Sequence, residues 1–467
     1  MRKHFHKILF IATIAVMVVF SVQTFTEVVK LEPLHGVTIE TEKPRLTLTN
    51  YFDGSFQSNA DKYLQEHFGF REWLIRAYNQ YLWSFFRETS NSYVVRGKKD
   101  WLYEDVQVRD HYESLMYQHT EDTAAMRKTF ETEALRLWKV QQLLEEYNIH
   151  LFVIINPGKN VIYPEYLPKN RMFFHPDGIH AYDYYKRMFD KLGINYIDNV
   201  AVFQKAKDSV DYPLYSKTGA HWSNIASIYV FDSIIRYMEN LGDQNLVNLD
   251  IGEKYQAKPR QPDNDLEELL NLFFPIKTQP YWYAYVKAEE DTTAVKPCFL
   301  TIGDSYFWNF VYNIPLQDIF RYYPYWYYNY IVHFDSANTA TSDLDLEQEL
   351  MRTDYIMLTY STTQLYDLGS KFLSRALLHL CYDKAAIDSA AHCLVSSIRS
   401  NPKLYAKILE YAKESQKNLE EVLYGDAVYL LLENPEEYFE DLKGNHLPVS
   451  RNKDLVSIRK KLSANRP

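Results

Sequence analysis

The sequence predicts an α/β fold built on a doubly wound, mostly parallel sheet. The first observation is a set of short, continuous apolar runs, of which residues 150–155, 298–302 and 355–360 are the clearest. Such runs are typical of parallel strands that are buried on both faces. The second observation is that helical patterns separate these runs, so the connections cover both faces of the sheet. Ligands of such sheets bind beyond the carboxyl ends of the strands.

The composition is that of a globular protein and excludes several classes of function. Of 467 residues, 46% are hydrophobic and 24% are charged, which argues against a disordered chain and against a polytopic membrane protein. The formal net charge of −10 repels phosphate backbones and disfavours a general nucleic-acid binder. The chain has 40 Tyr and 8 Trp, and exposed rings of this kind form stacking surfaces for sugars.

The N-terminus carries a candidate membrane segment. Arg2, Lys3 and Lys7 precede the apolar run 8–22, which has the length of a signal-peptide core or a signal anchor. The positive-inside rule keeps the basic end in the cytoplasm and exports the rest of the chain. Because residues 21–24 form only a weak cleavage site, the sequence favours an uncleaved single-pass anchor over a cleaved signal peptide.

Four zones follow one another along the chain. They are a signal anchor or signal peptide (1–25), a linker and helical region (26–115), the α/β domain (116–367) and a helical C-terminal region (368–467). In the second zone, residues 97–103 predict a turn that leads into a short strand. From residue 368 onward no strand-like run occurs, so this zone is expected to be purely helical.

Helices and strands alternate within the α/β domain. A long helix is predicted over residues 120–147, with Thr120 or Asp122 as its N-cap. The strand over 150–155 ends at the turn sequence Asn-Pro-Gly. Further helices are predicted over 184–192 and 223–241, the second with Ser223 as its N-cap, and further strands over 195–197 and 330–334.

The first candidate catalytic residue is Ser305, in the sequence Gly303-Asp304-Ser305-Tyr306 that follows the strand over 298–302. Glycine before the serine permits a tight turn that exposes the hydroxyl at the carboxyl edge of the sheet. Backbone N–H groups at such a turn can face a developing oxyanion. The competing role for Asp304 or Ser305 is an ordinary helix cap after a strand.

The second candidate is His221, in the segment 215–223 (YSKTGAHWS). It stands on a loop directly before a capped helix rather than in the middle of a helix face. A single histidine is more often structural, but this position suits a general base for Ser305.

Taken in order, these motifs resemble the SGNH hydrolase-like proteins related to the alginate O-acetyltransferases, also called DHHW proteins. The resemblance covers roughly residues 50–365. Besides Gly-Asp-Ser and His-Trp, it rests on the fragments 68–71, 97–103, 156–159, 162–168, 263–266 and 269–272. It implies an SGNH-type domain that acts on O-acetyl groups of a polysaccharide and needs no cofactor. It also implies the periplasmic side of a bacterial inner membrane and a membrane-bound O-acyltransferase as partner.

The sequence departs from the family pattern two residues before His221, where Gly219 replaces the family aspartate. That carboxylate would hold the imidazole tautomer and stabilise the imidazolium. Asp304, Asp263 and Asp265 are the candidate substitutes, of which Asp304 is the predicted orienting acid.

The remaining site residues are predicted from their positions near these motifs. The N–H groups at Ser305 and Tyr306 are expected to hold the oxyanion, and Asn156 and Asn309 are candidate side-chain donors. Aromatic residues near the two motifs are candidate substrate contacts: Trp222, Tyr306, Tyr323 and Tyr325. In a strand, Tyr323, Tyr325, Tyr327 and Asn329 would share one face.

Three hypotheses about function remain open on this evidence. The first is O-acetyl transfer to, or removal from, an extracytoplasmic polysaccharide through a Ser305 acyl-enzyme with His221 as base. The second is a catalytically degenerate glycan-binding or scaffold subunit, which Gly219 favours. The third is a structural partner that uses the helical C-terminus, which an exposed apolar stripe on residues 400–445 would favour.

Cysteines and histidines indicate neither a disulfide scaffold nor a metal centre. Cys298 lies in an apolar run, and Cys381 and Cys393 are near enough in sequence to pair in an oxidising compartment. The 14 His show no ligand spacing of the H-E-x-x-H type, so no metal is expected.

Overall fold

The apolar runs assemble into a central sheet in the computed structural model, which describes residues 2–36, 41–113, 123–169, 180–334 and 339–464. The strands, in chain order, are β1 Val94–Arg96, β2 Leu102–Glu104, β3 His150–Asn156, β4 Tyr196–Asp198, β5 Leu249–Ala257, β6 Tyr281–Ala288, β7 Phe299–Gly303, β8 Tyr325–Tyr327, β9 Ile331–His333 and β10 Tyr355–Ser361.

Helices surround this sheet and extend beyond it at both ends of the chain. Before β3 they are α1 Arg2–Thr26, α2 Leu48–Phe52, α3 Ser55–His67, α4 Arg71–Tyr81, α5 Asp105–Glu113 and α6 Thr123–Glu145. Between β3 and β10 they are α7 Lys159–Ile162, α8 Ala181–Leu192, α9 Asn199–Ala206, α10 Asn224–Gly242, α11 Asp265–Leu270, α12 Phe307–Asn313, α13 Leu316–Ile319 and α14 Leu346–Arg352. The last are α15 Phe372–Cys381, α16 Lys384–Ser400, α17 Pro402–Glu414, α18 Leu419–Glu433, α19 Pro435–Tyr438 and α20 Asp454–Ala464.

The central sheet has six strands in the order β4-β3-β10-β7-β8-β9. The first five run parallel, and β9 returns antiparallel to β8. Asn156 pairs with Ser361, and Gly303 pairs with Thr359, so β3, β10 and β7 end at one edge of the sheet. The predicted α/β fold with a mostly parallel sheet is therefore confirmed.

Alternate residues of the central strands pack into two different apolar layers. On β3, Leu151, Val153 and Ile155 contact the layer formed by α6, α8, α14 and α15. Phe152 and Ile154 contact the opposite layer, formed by α9, α10, α12 and α13. Because a strand alternates its side chains between faces, burial on both sides produces the unbroken apolar runs seen in the sequence.

The edge of the sheet differs from the prediction at residues 330–334. This run was expected to be a buried strand, but β9 is a short edge strand with Ile331 42% exposed. The reason is the short connection after β8, which permits an antiparallel hairpin but not a parallel crossover. Tyr325 and Tyr327 do belong to one strand, β8, whereas Asn329 lies beyond its end with a positive φ of 56°.

The N-terminal helix α1 is largely exposed and contacts the rest of the protein near its C-terminal end. Its segment Phe5–Thr26 spans 22 residues with a mean hydropathy of 2.3, and 6% of its most apolar window is buried. Among the described residues it is the one helix long and apolar enough to cross a membrane. The predicted N-cap residues of α6, Thr120 and Asp122, lie outside the described residues.

The C-terminal zone is helical, as predicted, and its apolar side chains pack mainly on one another. Ile408, Val422, Leu423 and Ala427 are buried within one cluster formed by α16, α17 and α18. The apolar residues of 400–445 therefore form no continuous exposed stripe, which is the feature that would have favoured a structural-partner role. Those that stay exposed are separate side chains. All three cysteines are unpaired: Cys298 and Cys381 are buried, and Cys393 is exposed.

Candidate active site

Ser305 stands at the carboxyl edge of the central sheet, directly beyond β7. A Cβ on Gly303, the last residue of that strand, would lie 1.9 Å from the Thr359 carbonyl oxygen on β10. No side chain fits between these two backbones, so the strand must end in glycine here. The Ser305 carbonyl accepts the N–H of Trp308 at 3.1 Å as α12 begins. Ser305 is partly exposed, so the site is open to solvent.

His221 comes from a loop that closes on itself before α10. Tyr215 and Trp222 form an antiparallel bridge across the loop, and the Ser223 side chain caps the helix as predicted. His221 Nε2 lies 2.7 Å from Ser305 Oγ. The two residues singled out from separate motifs are therefore in hydrogen-bond contact.

Asp265, the first residue of α11, extends this contact into a line of three side chains. Its Oδ2 lies 2.7 Å from His221 Nδ1. Its Oδ1 accepts the backbone N–H groups of Ala220 at 2.8 Å and of Leu266 at 2.7 Å. These bonds fix the carboxylate so that it holds a proton on Nδ1 and leaves Nε2 to accept from the serine.

The carboxylate that contacts the imidazole is not that of Asp304, the acid predicted from the sequence. The Asp304 carboxylate instead accepts the N–H of Ser361 at 2.6 Å and the N–H of Tyr306 at 3.1 Å. It therefore fastens the turn after β7 to the end of β10. Asp263 is also occupied elsewhere, because it accepts hydrogen bonds at the start of α10. Of the three acids considered, Asp265 is the one hydrogen-bonded to the imidazole.

The space around Gly219 explains why the acid is not at that position. A Cβ there would lie 2.7 Å from the Pro262 carbonyl oxygen and from Ser216 Oγ, and 2.8 Å from the Asp263 carbonyl oxygen. The segment that leads to Asp265 therefore occupies the space that a side chain at position 219 would need. The carboxylate reaches the imidazole from this neighbouring segment, and glycine is required to let the segment pass.

The surroundings of His221 raise its pKa above the ordinary value of an imidazole. Burial of the ring acts to lower the pKa, but the hydrogen bond and the charge of Asp265 outweigh it. The charges of Glu104 and Asp304 act in the same direction as Asp265. The surroundings therefore stabilise the protonated imidazolium form of His221.

Lys159, at the start of α7, ties three parts of the site together. Its ammonium group is fully buried and donates to the carbonyl oxygens of Leu102 at 2.7 Å, Gly219 at 2.7 Å and Lys217 at 3.0 Å. Burial holds the pKa of Lys159 well below its usual range. The contacts bind the start of α7 to the start of β2 and to the loop that carries His221.

Glu104, the last residue of β2, is a further acid near the imidazole. The Tyr93 hydroxyl donates to its carboxylate. Burial raises the pKa of Glu104, while the positive charge of His221 and the Tyr93 bond act against that rise. Lys159 donates to a carbonyl at the start of β2 and to two carbonyls of the loop that carries His221. These bonds hold Glu104, at the end of β2, in a fixed position relative to that loop.

The predicted oxyanion donors are mostly engaged elsewhere. The Tyr306 N–H faces Asp304, the Asn156 amide donates to Thr359 Oγ1 at 2.9 Å, and the Asn309 amide donates to the Trp222 carbonyl at 3.0 Å. Asn156 and Asn309 are fully buried. In the described parts of the chain, the Ser305 N–H donates to no protein acceptor. It is the predicted donor that stays free to meet an oxyanion.

The predicted aromatic contacts are largely structural. Trp222, Tyr306 and Tyr325 are each less than 5% exposed, so they cannot present a face to a sugar. Trp222 packs edge-on against Tyr306, and the Tyr325 hydroxyl donates to the Asp304 carbonyl at 2.5 Å. These rings support the turn that carries Ser305. Tyr323 is partly buried, but it precedes β8 and follows Tyr322, which pairs with Cys298 just before β7. It therefore lies at the opposite edge of the sheet from Ser305, and the prediction that it contacts the substrate there is wrong.

Two residues of this site carried no signal that sequence analysis could use. Lys159 lies in the Asn-Pro-Gly-Lys fragment that supported the family resemblance, but nothing in the fragment indicates three carbonyl partners. Glu104 ends a three-residue strand, and only the pairing of β1 with β2 brings it beside Tyr93. Within the described residues, no group of three or more His, Cys, Asp or Glu side chains could hold a metal ion.

Comparison with known proteins supports the family resemblance inferred from the motifs. Residues 94–298 match a family model described as the SGNH hydrolase-like domain of the acetyltransferase AlgX. The matched segment includes His221 and Asp265 and ends before Ser305. No curated protein matches the chain.

Several solved structures are similar to the chain at low sequence identity. The O-acetyltransferase domain of Pseudomonas putida AlgJ is 16% identical, with 61% of this chain and 98% of that chain covered and a TM-score of 0.39. Pseudomonas aeruginosa AlgX is 12% identical, with 61% and 71% covered and a TM-score of 0.36. Bacillus cereus PatB1 is 12% identical, with 59% and 97% covered and a TM-score of 0.35.

The crowding at Gly219 can be tested with a matched pair of glycine substitutions. Gly219→Ala should lower the free energy of unfolding by about 1–3 kcal/mol, because backbone carbonyls must move to admit the methyl group. Gly425→Ala, on α18 with no atom near its Cβ position, should raise that free energy by about 0.5–1 kcal/mol. Urea denaturation in detergent measures both. Equal stability of Gly219→Ala and the unchanged protein would contradict the crowding.

The role of the buried ammonium group can be tested by Lys159→Met. This substitution removes a donor from three carbonyl groups, of which the Lys217 carbonyl keeps the Leu102 N–H, so the free energy of unfolding should fall by about 1–3 kcal/mol. Lys207→Met removes a partly exposed lysine that bonds Glu165, and this control should change little. If both variants unfolded at the same urea concentration, Lys159 would not hold these segments together.

Proposed function

We propose that this protein transfers O-acetyl groups on an extracytoplasmic polysaccharide through an acyl-enzyme on Ser305. His221 acts as general base and acid, and Asp265 orients its ring. The observation that carries the proposal is the unbroken line of two 2.7 Å contacts that joins Ser305 Oγ to His221 and His221 to Asp265. The match of residues 94–298 to an acetyltransferase family model supports the acetyl group as the one transferred.

The reaction proceeds in two steps that use the same three side chains. His221 Nε2 takes the proton of Ser305 Oγ, and the oxygen attacks the carbonyl carbon of the acetyl donor. The Ser305 N–H meets the oxyanion, the donor leaves with the proton from His221, and the acetyl ester of Ser305 is formed. A sugar hydroxyl then gives its proton to His221, attacks the ester and releases Ser305.

Transfer and hydrolysis share every step except the identity of the final nucleophile. Water in place of the sugar hydroxyl would make the protein an acetylesterase. Glu104 and the Tyr93 hydroxyl are the groups we assign to the acceptor, because the Glu104 carboxylate lies close enough to His221 to raise its pKa and the Tyr93 hydroxyl donates to Glu104. A carboxylate that accepts hydrogen bonds from sugar hydroxyls would favour the acceptor over water.

The degenerate-scaffold hypothesis loses its main support in this geometry. It rested on the absence of an acid at position 219, and Asp265 supplies a carboxylate to the same imidazole. A serine and a histidine retained only as structure would also have no need of a third side chain on Nδ1. We therefore place the enzyme hypothesis ahead of the scaffold hypothesis.

We further propose that α1 is an uncleaved anchor in a bacterial inner membrane, with the catalytic domain in the periplasm. The 22-residue segment Phe5–Thr26 is about 33 Å long as a helix, which matches a hydrocarbon core of about 30 Å. The end of α1 also packs on the protein that follows it, since the Gly69 N–H donates to Thr24 Oγ1 at 2.7 Å. A membrane-bound O-acyltransferase that supplies acetyl groups from the membrane is the proposed partner.

The decisive test is covalent labelling with a serine-directed sulfonyl fluoride, followed by mass spectrometry. We expect one stoichiometric adduct on Ser305. It should be absent from Ser305→Ala and from His221→Ala, because an unactivated hydroxyl reacts slowly. The control His392→Ala removes an exposed histidine on α16 and should label like the unchanged protein. A folded protein that takes no label would return the scaffold hypothesis to first place.

The pH dependence of labelling tests the role of Asp265. The rate should rise with pH as His221 loses its proton, with an inflection above the ordinary imidazole pKa of about 6.5 because Asp265 raises the pKa. In Asp265→Asn, the inflection should move to lower pH, since the group that raises the pKa is gone. The plateau should fall by up to about 10⁴-fold, because the tautomer is no longer held. An unchanged profile in Asp265→Asn would remove Asp265 from the mechanism.

A further inference from the structure

Helix α4 and the π-helical turn Leu82–Phe86 that follows it are amphipathic, with the polar side toward the protein and the apolar side toward solvent. The side that faces the protein carries Arg76 and Asn79, both less than 10% exposed. The side that faces solvent carries large apolar and aromatic side chains: Trp73 (48% exposed), Leu74 (44%), Tyr78 (58%), Tyr81 (49%) and Phe85 (76%). A surface helix of a soluble protein has the opposite arrangement, with its apolar stripe toward the core.

The polar side of α4 is fixed in place by hydrogen bonds to backbone carbonyls. Arg76 donates to the carbonyl oxygens of Glu32 at 3.0 Å and Pro33 at 2.8 Å. Asn79 donates to the Leu270 carbonyl at 2.8 Å. Because these buried groups would be costly to release, the helix cannot rotate to hide its apolar face.

The start of α4 lies against the last two turns of α1. The Phe70 ring packs edge-on against Phe20, with 5.6 Å between ring centroids. A Cβ on Gly69 would lie 2.5 Å from the Phe20 carbonyl oxygen, so the two backbones are in close contact. Phe20 lies six residues before the end of α1 at Thr26, which is about 9 Å along the helix. Phe70 therefore lies beside the last 9 Å or so of α1, measured along the helix axis from Thr26.

We propose that the apolar face of α4 and its π-turn, formed by Trp73, Leu74, Tyr78, Tyr81 and Phe85, lies in the interfacial layer of the bilayer that α1 crosses. The inference rests on the proposed membrane anchor. Its occupant is phospholipid, because the face is continuous with the lipid-exposed surface of α1 through the contact of Phe70 with Phe20. Tyr and Trp are the residues that favour the membrane interface, and an interfacial helix places its apolar face about 5–10 Å below the headgroups.

A loop next to the catalytic acid extends the same surface. Phe274 is 71% exposed, and its N–H donates to Gln80 Oε1 on α4 at 3.1 Å. This loop follows α11, the six-residue helix that begins with Asp265 and whose last carbonyl is held by Asn79. Six helical residues span about 9 Å, and α4 is itself about 10 Å across, so the Asp265 carboxylate is separated from the proposed lipid face by about 20 Å. The proposal therefore sets the catalytic line close to the bilayer.

The experiment uses the full chain in nanodiscs and measures the depth of single fluorescent labels. Cys393→Ser removes the exposed native cysteine and leaves Cys298 and Cys381, which are buried. In that background, Tyr78→Cys places the label on the proposed lipid face. Tyr411→Cys, a tyrosine of similar exposure (52%) on α17, is the matched control. Val16→Cys, in the middle of α1, reports whether the anchor itself is inserted.

Quenching by lipids that carry a doxyl group near the headgroup should be at least about threefold stronger at position 78 than at position 411. The label at position 16 should be quenched by lipids with a doxyl group deep in the acyl chain. If position 16 is quenched and position 78 behaves like position 411, the anchor stands and the interfacial placement of α4 is wrong. A second protein as the true occupant would give this result. If position 16 is not quenched, the anchor fails, and the inference falls with it.

Sulfonyl labelling of Ser305 in each cysteine variant gives an independent check that the catalytic domain is folded. None of the substituted positions contacts the Ser305–His221–Asp265 line, so adduct formation should match that of the unchanged protein. A variant that labels normally and still shows no quenching at position 78 counts fully against the proposal.

Discussion

The buried ammonium group of Lys159 is the contact on which the geometry of the site depends. It joins the start of α7 to the start of β2 and to the loop before α10 through three carbonyl oxygens. A charge without a carboxylate partner is costly to bury, and three well-placed dipoles are needed to offset that cost. Each segment bound in this way carries a group of the site: β2 ends at Glu104, and the loop carries His221. The contact therefore fixes the distances between the side chains that these segments carry.

Two aspartates with different burial have separate roles beside Ser305 and His221: Asp304 is buried and Asp265 is partly exposed. Asp304 accepts hydrogen bonds from the backbone N–H groups of Tyr306 and Ser361 at the Ser305 turn, and Asp265 accepts one from the His221 imidazole. Both carry negative charge toward His221, as does Glu104. The result is an imidazole whose protonated form is stabilised from three directions, while the nucleophile itself stays partly exposed. Burial of Trp222, Tyr306 and Tyr325 behind the turn keeps this arrangement rigid.

The parts of the fold that follow from periodicity could be predicted from the sequence. Strands β3, β7 and β10 are buried on both faces and are largely apolar, with one internal threonine each in β7 and β10, so their positions and their shared edge were foreseeable. The pair Ser305 and His221 was foreseeable because each follows an element whose end could be located. Asp265 could be named only as one of three acids, since its contact depends on how a loop of irregular backbone folds. The burial of the aromatic residues was not foreseeable, because Tyr and Trp suit a core as well as a sugar-binding surface.

The close packing at Gly219 also constrains how sequences of this kind can diverge. Position 219 lacks space for a side chain because the segment that delivers Asp265 runs past it. A chain with acids at both positions cannot keep this backbone, and a chain with an acid at neither has no partner for the imidazole. We therefore expect an acid at position 219 only where the segment that carries Asp265 follows a different path. In an alignment of relatives, correlated substitution at positions 219 and 265 would locate the orienting acid where a motif search overlooks it.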